Sequence, residues 1–328
     1  MTGFRETNSG TMSETINSIK HPVILPYQRP IFDRLCTIAR ACLYVDRKSI
    51  TALKLRANFL LLGPTGTGKT FLAKEIARQA QVPFLAVSVS DWIILGGNTR
   101  GSSVTWPTIV NFIKKHKTKR GAIIFIDELD KCYHDSNWNV FLRSEIFSLC
   151  DSRTPLGLND LDDDESDDAN IDEVESFLAH KTMIIGGTAF QSIWEDQSAP
   201  ALGFNPEPIP PTPPQLHDLV KHLPRELINR FSSEIFILPT LSKNDYRSMI
   251  EVMAESISDV WRKKFLELGL SRLDQAVRDK KGARYPEEIL LAAIVEERSC
   301  MANWAPEAES PEMTPDNLDD PEETIAIF

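Results

Sequence analysis

The sequence predicts an α/β fold with a doubly wound parallel sheet, followed by a smaller helical domain. Three observations lead to this fold class. Short apolar runs typical of buried strands alternate with segments of helical periodicity. A glycine-rich turn follows one of these runs, and an acidic pair follows another. Because open α/β sheets bind ligands at the carboxyl ends of their strands, we expect both features at one edge of the sheet.

The predicted elements follow one another in a regular order. Residues 30–45 carry apolar side chains at helical spacing, and a first strand follows at 59–62. Apolar runs predict further strands at 82–89, 123–126 and 182–190, with helices at 71–77, 105–117 and 138–150. Right-handed crossovers between such elements give a doubly wound sheet. Residues 241–297 are helical in pattern, and Ser242 with Asp245 is expected to cap their first helix.

The strongest motif lies between the first strand and its helix. Residues 63–70 read Gly-Pro-Thr-Gly-Thr-Gly-Lys-Thr and fit a P-loop, or Walker A motif. The N–H groups of such a loop and the N-terminus of the next helix bind phosphate, whereas a glycine-rich turn without a ligand is the alternative. Lys69 is expected to reach the β- and γ-phosphates, and Thr70 to offer its hydroxyl to Mg²⁺. The predicted nucleotide-binding residues are Gly63, Pro64, Thr65, Gly66, Thr67, Gly68, Lys69, Thr70 and Phe71.

An acidic pair completes the predicted site. Asp127 and Glu128 follow the apolar run 123–126 and form a Walker B motif. Asp127 is expected to bind Mg²⁺ together with Thr70. Glu128 suits the general base that polarises an attacking water. A solvated carboxylate at the start of a helix is the alternative for Glu128.

With an acidic pair after such a strand, the chain resembles the AAA+ ATPases. Its later motifs resemble those of the ClpX/HslU unfoldases in particular. The run 182–190 ends like their sensor-1 strand, which places Thr188 where a polar side chain helps to orient water. Residues 219–231 resemble their helix before the arginine finger. The resemblance makes Arg230 the finger that acts on a neighbouring subunit, with a surface salt bridge as the alternative.

The last motif that resembles this family is Gly282-Ala283-Arg284, which corresponds to its sensor-2 signature. The resemblance implies that Arg284 contacts the γ-phosphate, although Tyr285-Pro286 departs from the usual continuation. It also implies that residues 23–25 contact adenine, with an ordinary hydrophobic staple as the alternative. The resemblance covers about residues 20–300. It implies a P-loop AAA+ ATPase that binds ATP and Mg²⁺ and forms a ring or filament, most often a hexamer.

These motifs and the composition divide the chain into four parts: a flexible arm at 1–20, a large ATPase domain at 21–239, a helical lid at 240–301 and an acidic disordered tail at 302–328. The large domain carries an acidic insert at 159–175 and a proline-rich loop at 205–214. The formal net charge is −11, but 18 of the 47 acidic residues lie in the tracts 160–175 and 307–323. The other 29 stand against 36 Lys and Arg, so the rest of the chain is basic.

Composition also excludes several classes of protein. No apolar run is long enough for a transmembrane helix, and residues 1–18 lack the apolar region of a signal peptide. The five cysteines contain no C-x-x-C pair, which favours reduced thiols in a cytoplasmic protein. We expect no membrane partner and no metal other than Mg²⁺.

The segments that would contact a partner are less distinctive. The family's gripping loop corresponds to residues 91–101, where Trp92 or Leu95-Gly96 would grip a polypeptide unless Trp92 is buried. Leu202-Gly203-Phe204 resembles the tripeptide by which ClpX-like ATPases dock on a peptidase, with a buried turn as the alternative. Residues 114–120 are a basic run that suits either phosphate contact or a solvated helix end.

Three functions are compatible with these features. The first is an oligomeric ATPase that remodels or unfolds a protein substrate, with or without an associated peptidase. The second is a nucleic-acid-dependent ATPase that uses the basic run. It is less favoured if the ten carboxylates of the insert lie near a channel, where they would repel phosphate backbones; a disordered insert that points outward is the alternative. The third is a switch whose ATP state controls a separate effector.

Overall fold

The computed structural model describes residues 23–44, 55–98, 105–133, 137–155, 171–190, 214, 216–220 and 222–300. Several predicted segments lie outside these residues: the arm at 1–20, residues 159–170 of the acidic insert, the tripeptide Leu202-Gly203-Phe204, the proline-rich loop up to residue 213, and the tail at 302–328.

A parallel sheet of five strands organises the described part of the chain, as the sequence predicts. The strands are β1 (Asn58–Leu62), β2 (Phe84–Ser88), β3 (Ala122–Asp127), β4 (Thr182–Thr188) and β5 (Ile235–Ile237). Their order across the sheet is β2-β3-β4-β1-β5. β4 therefore separates the strand before the P-loop from the strand before the acidic pair.

Helices cover both faces of this sheet. They are α1 (Arg29–Tyr44), α2 (Lys69–Gln79), α3 (Val89–Asn98), α4 (Thr105–His116), α5 (Asn137–Cys150) and α6 (Ile171–Lys181). Alternate side chains of each central strand enter two different cores. Leu60, Leu62, Ile124, Ile126 and Ile184 belong to one core, and Phe59, Leu61, Ile123, Phe125 and Ile185 to the other. Burial on both faces explains why these strands are continuous apolar runs.

The C-terminal part of the described chain is helical. It comprises α9 (Lys243–Ala254), α10 (Asp259–Ser271), α11 (Leu273–Arg278), a 3₁₀ turn at Gly282–Arg284 and α12 (Tyr285–Cys300). These helices enclose a separate core around Tyr246, Phe265 and Tyr285. The predicted cap is confirmed, since Ser242 Oγ accepts from the Asp245 N–H and Asp245 accepts from the Ser242 N–H at 2.8 Å. Among the described residues, none of the helices has the length and apolar composition needed to cross a bilayer.

The helix predicted over 219–231 is interrupted. Two helices of four residues each take its place, α7 (Leu216–Leu219) and α8 (Arg225–Ile228). Pro224 precedes α8 with an extended ψ of 139°. A proline lacks the N–H that helix continuation needs and disfavours helical backbone in the residue before it. The prediction of one continuous helix here was wrong for that reason.

The segment predicted as a gripping loop is also different. Its residues 91–98 belong to α3, and Trp92 is 1% exposed. The Trp92 indole N–H donates to Glu145 Oε2 at 2.7 Å, so this aromatic ring is part of the core and is not available to grip a substrate.

The acidic insert ends in a helix, because α6 begins at Ile171 with Asp172 and Glu173 in its first turn. Carboxylates in the first turn of a helix interact favourably with the positive end of the helix dipole.

Two glycines at the end of β4 allow the sheet to pack closely. A Cβ at Gly187 would lie 2.5 Å from Phe125 Cζ and 3.1 Å from Asp127 Oδ1. A Cβ at Gly186 would lie 3.1 Å from the Phe231 ring. Neither position has room for a side chain without displacing an aromatic ring.

Gly187→Ala should therefore destabilise the fold by about 1–3 kcal/mol, the usual cost of overpacking a core. Urea unfolding of the purified protein measures this change. Thr118→Ala, at an exposed position after α4, is the control and should leave the free energy of unfolding within about 0.5 kcal/mol. Equal stability of Gly187→Ala and the control would show that the end of β4 is loosely packed.

Candidate active site

The predicted site residues converge at the carboxyl ends of β1 and β3. The P-loop follows β1, and Asp127 is the last residue of β3. Thr70, in the first turn of α2, donates its hydroxyl hydrogen to Asp127 Oδ2 at 2.7 Å. This contact passes over the end of β4 and brings both predicted magnesium ligands together.

The P-loop backbone has the shape that the motif requires. Gly66 and Gly68 have φ values of 82° and 84°, in a region that residues with a Cβ rarely adopt. Gly68 also immediately precedes α2, where a Cβ would lie 2.7 Å from Gln28 Nε2. The first turn of α2 lies beside the site, and its N–H groups lack partners within the helix.

Lys69 is buried at the centre of this loop. Its ammonium group donates to Gly63 O at 2.7 Å and to Pro64 O at 3.2 Å. Burial lowers the pKa of Lys69, while the carboxylates of Asp127 and Asp130 partly oppose that shift. A phosphate group would supply the negative charge that this desolvated ammonium lacks.

Glu128 is held by a network that the sequence analysis does not predict. Its backbone has a φ of 57°, unusual for a residue with a side chain. The carboxylate accepts hydrogen bonds from the hydroxyls of Ser88, at 3.1 Å, and Ser90, and lies 2.8 Å from Lys131 Nζ. Partial burial raises the pKa of Glu128, but the hydrogen bonds from Lys131, Ser90 and Ser88 outweigh it and the net pKa lies below its usual value. Glu128 is therefore ionised at neutral pH.

These residues surround a cavity of about 730 Å³. Its polar wall contains the P-loop, Asp127, Glu128, Asp130 and Lys131, and its apolar wall contains Val23, Leu25, Phe71 and Met253. A cavity of this size suits a nucleotide-sized ligand. Residues 23 and 25, for which the resemblance implies an adenine contact, belong to this apolar wall.

The segment before α1 is fastened to the P-loop. Tyr27 donates its hydroxyl hydrogen to Thr67 O at 3.1 Å, and Gln28 Nε2 donates to the same oxygen at 3.2 Å. Gln28 is 1% exposed and its other amide atom accepts from the Leu25 N–H. These contacts fix Val23 and Leu25 beside the loop.

The helical part closes the cavity from the other side by direct backbone contact. The Ala283 N–H donates to Gly66 O at 2.5 Å. A Cβ at Gly282 would lie 2.7 Å from the same oxygen, and the φ of Gly282 is 71°. Tyr246 accepts the Gly282 N–H at 2.9 Å and fixes this turn. Arg284 follows directly, is exposed and lines the cavity.

Two predicted catalytic residues do not line the cavity. Thr188 is fully buried, and within the described residues its hydroxyl has no hydrogen-bond partner. Its neighbour Ala189 lines the wall instead. Six of the predicted P-loop residues line the cavity: Thr65, Gly66, Gly68, Lys69, Thr70 and Phe71. The other three, Gly63, Pro64 and Thr67, belong to the loop but do not line the cavity.

Arg230 lies near the amino-terminal end of β1, whereas the P-loop follows the carboxyl-terminal end of that strand. The Arg230 carbonyl accepts from Asn58 Nδ2 at 2.9 Å, and Asn58 begins β1. Four residue steps at about 3.3 Å separate Asn58 from the P-loop end of that strand, roughly 13 Å. The Arg230 guanidinium bonds to Asp151 at 2.9 Å and lies over the Phe147 ring at 4.3 Å. The side chain therefore forms the ion pair considered as its alternative, and it does not reach the cavity of its own chain.

Several residues of the site are missing from the sequence-based prediction. Lys131 is three residues after Glu128, a spacing that favours an ion pair and could have indicated it. Gln28, Ser90 and Met253 carry no comparable sequence signal, since their positions follow from the tertiary fold.

Comparison with known proteins agrees with this geometry. The model of the ATPase family associated with various cellular activities (AAA) matches residues 59–150. The ATP-dependent zinc metalloprotease FtsH of Chlorobium luteolum is 41% identical over 87 residues, which are 26% of this chain and 12% of that protein. The ATP-dependent zinc metalloprotease FTSH 2, chloroplastic, of Arabidopsis thaliana is 38% identical over 85 residues with the same coverage. The chain spans about an eighth of the length of these relatives.

Residues 59–150 are thus an AAA ATPase domain, a kind of domain that binds ATP and whose family implies ATP hydrolysis. The similarity extends to the ATPase module of FtsH and is not specific to ClpX or HslU. The P-loop, the acidic pair and the helices between them all fall within the matched residues.

The network around Glu128 leads to a prediction about pH. Lys131→Ala removes the ion pair that lowers the pKa of Glu128, so this pKa should rise. Because a general base must be ionised, the acidic limb of the pH–kcat profile should move to higher pH. Lys74→Ala, an exposed lysine on α2, makes the same charge change away from Glu128 and should leave the limb in place. Superimposable profiles of Lys131→Ala and wild type would contradict the role of Glu128 as the base.

Proposed function

We propose that this chain is an oligomeric AAA+ ATPase that couples ATP hydrolysis to the remodelling of a protein partner. The observation that carries the proposal is the contact between Thr70 and Asp127 inside a cavity that the helical part closes. This contact joins the P-loop and the acidic pair in one site, and residues of the helical part line the same cavity.

ATP would bind with its triphosphate along the P-loop and its base against the apolar wall. The N–H groups at the start of α2 and the Lys69 ammonium would bind the phosphates. Thr70 and Asp127 offer a hydroxyl and a carboxylate oxygen within 2.7 Å of each other, a donor set that suits Mg²⁺. When bound there, the ion would neutralise phosphate charge.

Glu128 would polarise the attacking water. It is ionised, lines the cavity and stands next to Asp127, but its carboxylate is engaged by Ser88, Ser90 and Lys131. These three bonds leave an acceptor site for a water, because an ionised carboxylate has about four lone-pair sites. A rearrangement near α3 that weakens one of these bonds would make the carboxylate a stronger base towards that water.

The bond from Ala283 to Gly66 would couple the site to mechanical work. Any displacement of the P-loop when nucleotide binds or phosphate leaves moves an acceptor that the helical part holds directly. Arg284, adjacent to that bond and exposed to the cavity, would contact the γ-phosphate from the same element. The helices at 243–300 would therefore change orientation with the nucleotide state.

Arg230 would complete the site of a neighbouring subunit. The guanidinium cannot reach its own cavity, because it lies at the other end of β1. If Arg230 contacts ATP, that ATP is bound to an adjacent copy, which is the role of an arginine finger. AAA ATPases typically form oligomers, and a ring, most often hexameric, or a filament would provide this arrangement.

A protein partner fits better than a nucleic acid. The relatives are named as ATP-dependent proteases, which act on proteins. The basic run 114–120 is partly engaged within the chain, since Lys117 pairs with Glu173 at 3.6 Å and Arg120 lies over the Tyr44 ring at 5.0 Å. Docking of a peptidase through Leu202-Gly203-Phe204 remains a prediction about residues outside the described part.

Measurement of ATP turnover with partners added separately tests this function. Turnover should rise when an unfolded protein is added and should not rise with DNA or RNA. Lys69→Ala should lose nucleotide binding, and Glu128→Gln should bind ATP but hydrolyse it at a few per cent of the wild-type rate or less. Stimulation by nucleic acid that falls steeply with salt would replace the proposal with the nucleic-acid-dependent alternative. A stable ATP complex with unstimulated turnover would favour the switch.

Mixing two inactive variants tests the role of Arg230. Arg230→Ala should be inactive alone, because each site lacks its finger, and so should Glu128→Gln. Mixed assemblies contain some sites with both an intact Glu128 and a neighbouring Arg230, so partial ATPase activity should return. Arg225→Ala, a neighbouring basic residue on α8, is the control and should be active alone. Inactive mixtures, in assemblies shown by light scattering to be intact, would mean that Arg230 only supports the fold through Asp151.

A further inference from the structure

The helical wall of the cavity carries a carboxylate that the proposed mechanism does not use. Glu287 lies in the first turn of α12, lines the cavity and is exposed. The 3₁₀ turn at Gly282–Arg284 leads directly into α12, and Glu287 follows Arg284 by three residues. Both side chains line the cavity, Arg284 from the turn and Glu287 from the start of α12.

The other carboxylates of the cavity are engaged by the protein. Asp127 accepts from Thr70 at 2.7 Å, Glu128 pairs with Lys131 at 2.8 Å, and Asp130 accepts from the Ala189 N–H at 3.3 Å. Glu287 makes no hydrogen bond or ion pair with the residues that the structure describes. The adjacent Glu288, by contrast, pairs with Lys281 at 3.0 Å. Glu287 is thus the lining carboxylate available to a ligand.

The chemistry of a carboxylate limits what it can bind in a nucleotide. An ionised carboxylate only accepts hydrogen bonds, and a triphosphate is also an anionic acceptor, so contact between them is repulsive. The donors of ATP all belong to the nucleoside: the two ribose hydroxyls and the exocyclic amine of adenine. Acidic side chains accept from ribose hydroxyls in this way in dinucleotide-binding folds.

The position of Glu287 agrees with the nucleoside end of the cavity. The P-loop holds the phosphate end, where Ala283 touches Gly66. Val23 and Leu25 from the segment before α1 and Met253 from α9 supply the apolar wall that suits a base. A carboxylate that follows Ala283 in the same cavity can meet the sugar or the base edge without sharing the position of the triphosphate.

We propose that Glu287 selects the nucleotide by accepting a hydrogen bond from a donor of its nucleoside, either a ribose hydroxyl or the base amine. Arg284 and Glu287 then divide recognition on the helical wall, since the cation contacts phosphate and the anion contacts the nucleoside. The inference rests on the proposed binding of ATP in this cavity and adds the means of selection to it.

Equilibrium binding to the full chain tests the inference with ATP and three analogues. Glu287→Ala should weaken ATP binding about tenfold, the effect of a hydrogen bond to a charged group. Glu288→Ala removes an equal charge from the same helical turn and should bind ATP as wild type does. The analogues are 2′-deoxy-ATP, 3′-deoxy-ATP and purine riboside triphosphate, each lacking one of the possible donors.

Wild type should bind one analogue about tenfold more weakly than ATP, namely the analogue that lacks the donor bound by Glu287. Glu287→Ala should bind that analogue as well as wild type does. A loss with a deoxy analogue identifies the ribose as the source, and a loss with the purine riboside identifies the amine. If wild type binds ATP and Glu287→Ala binds it equally or more tightly, the inference is wrong while the proposed function stands. If wild type binds no ATP, the proposed function fails and the inference fails with it. Thermal melting shows that each variant is folded.

Discussion

The absence of a side chain at Gly187 is the constraint on which the site depends. β4 runs between the strand before the P-loop and the strand before the acidic pair, so any bulk at its end would separate the two halves of the site. A Cβ there would press on both Phe125 and Asp127. Without it, Asp127 comes within 2.7 Å of Thr70 across the end of the strand. The order of the strands and two glycine residues thus bring together groups that are 57 residues apart in the chain.

A second constraint ties the site to the helical part of the molecule. The contact between Gly66 and the turn at Gly282–Arg284 is made of backbone atoms, so it tolerates little change in distance. Tyr246 holds one side of this turn, and Tyr27 and Gln28 hold the loop from the opposite side. The P-loop is therefore clamped between two elements. The helical part has its own core, so its helices pack mainly on one another and reach the loop through this turn.

The sequence alone predicted the sheet and the two motifs because both rest on local patterns. Continuous apolar runs identified four of the strands, and β5 is missing from the predicted elements because its three residues are too short for a periodic signal. The helix before Arg230 was predicted by resemblance and is broken at Pro224, where local backbone chemistry prevails. Burial of Trp92 and the bonds of Ser88, Ser90 and Lys131 to Glu128 depend on tertiary contacts, which no spacing along the chain determines.

The position of Arg230 gives the proposed assembly a physical basis. Asn58 binds the carbonyls of both Arg230 and Cys150, so the start of β1 holds the segment around Arg230 while the end of β1 leads into the P-loop. β1 is fully buried between β4 and β5 and cannot shift independently of the sheet. If Arg230 acts on the next subunit, a rigid strand links each ATP site to the finger that serves its neighbour. Hydrolysis in one subunit would then displace the finger of that subunit without an intervening flexible element, and successive sites would be coupled through the sheet itself.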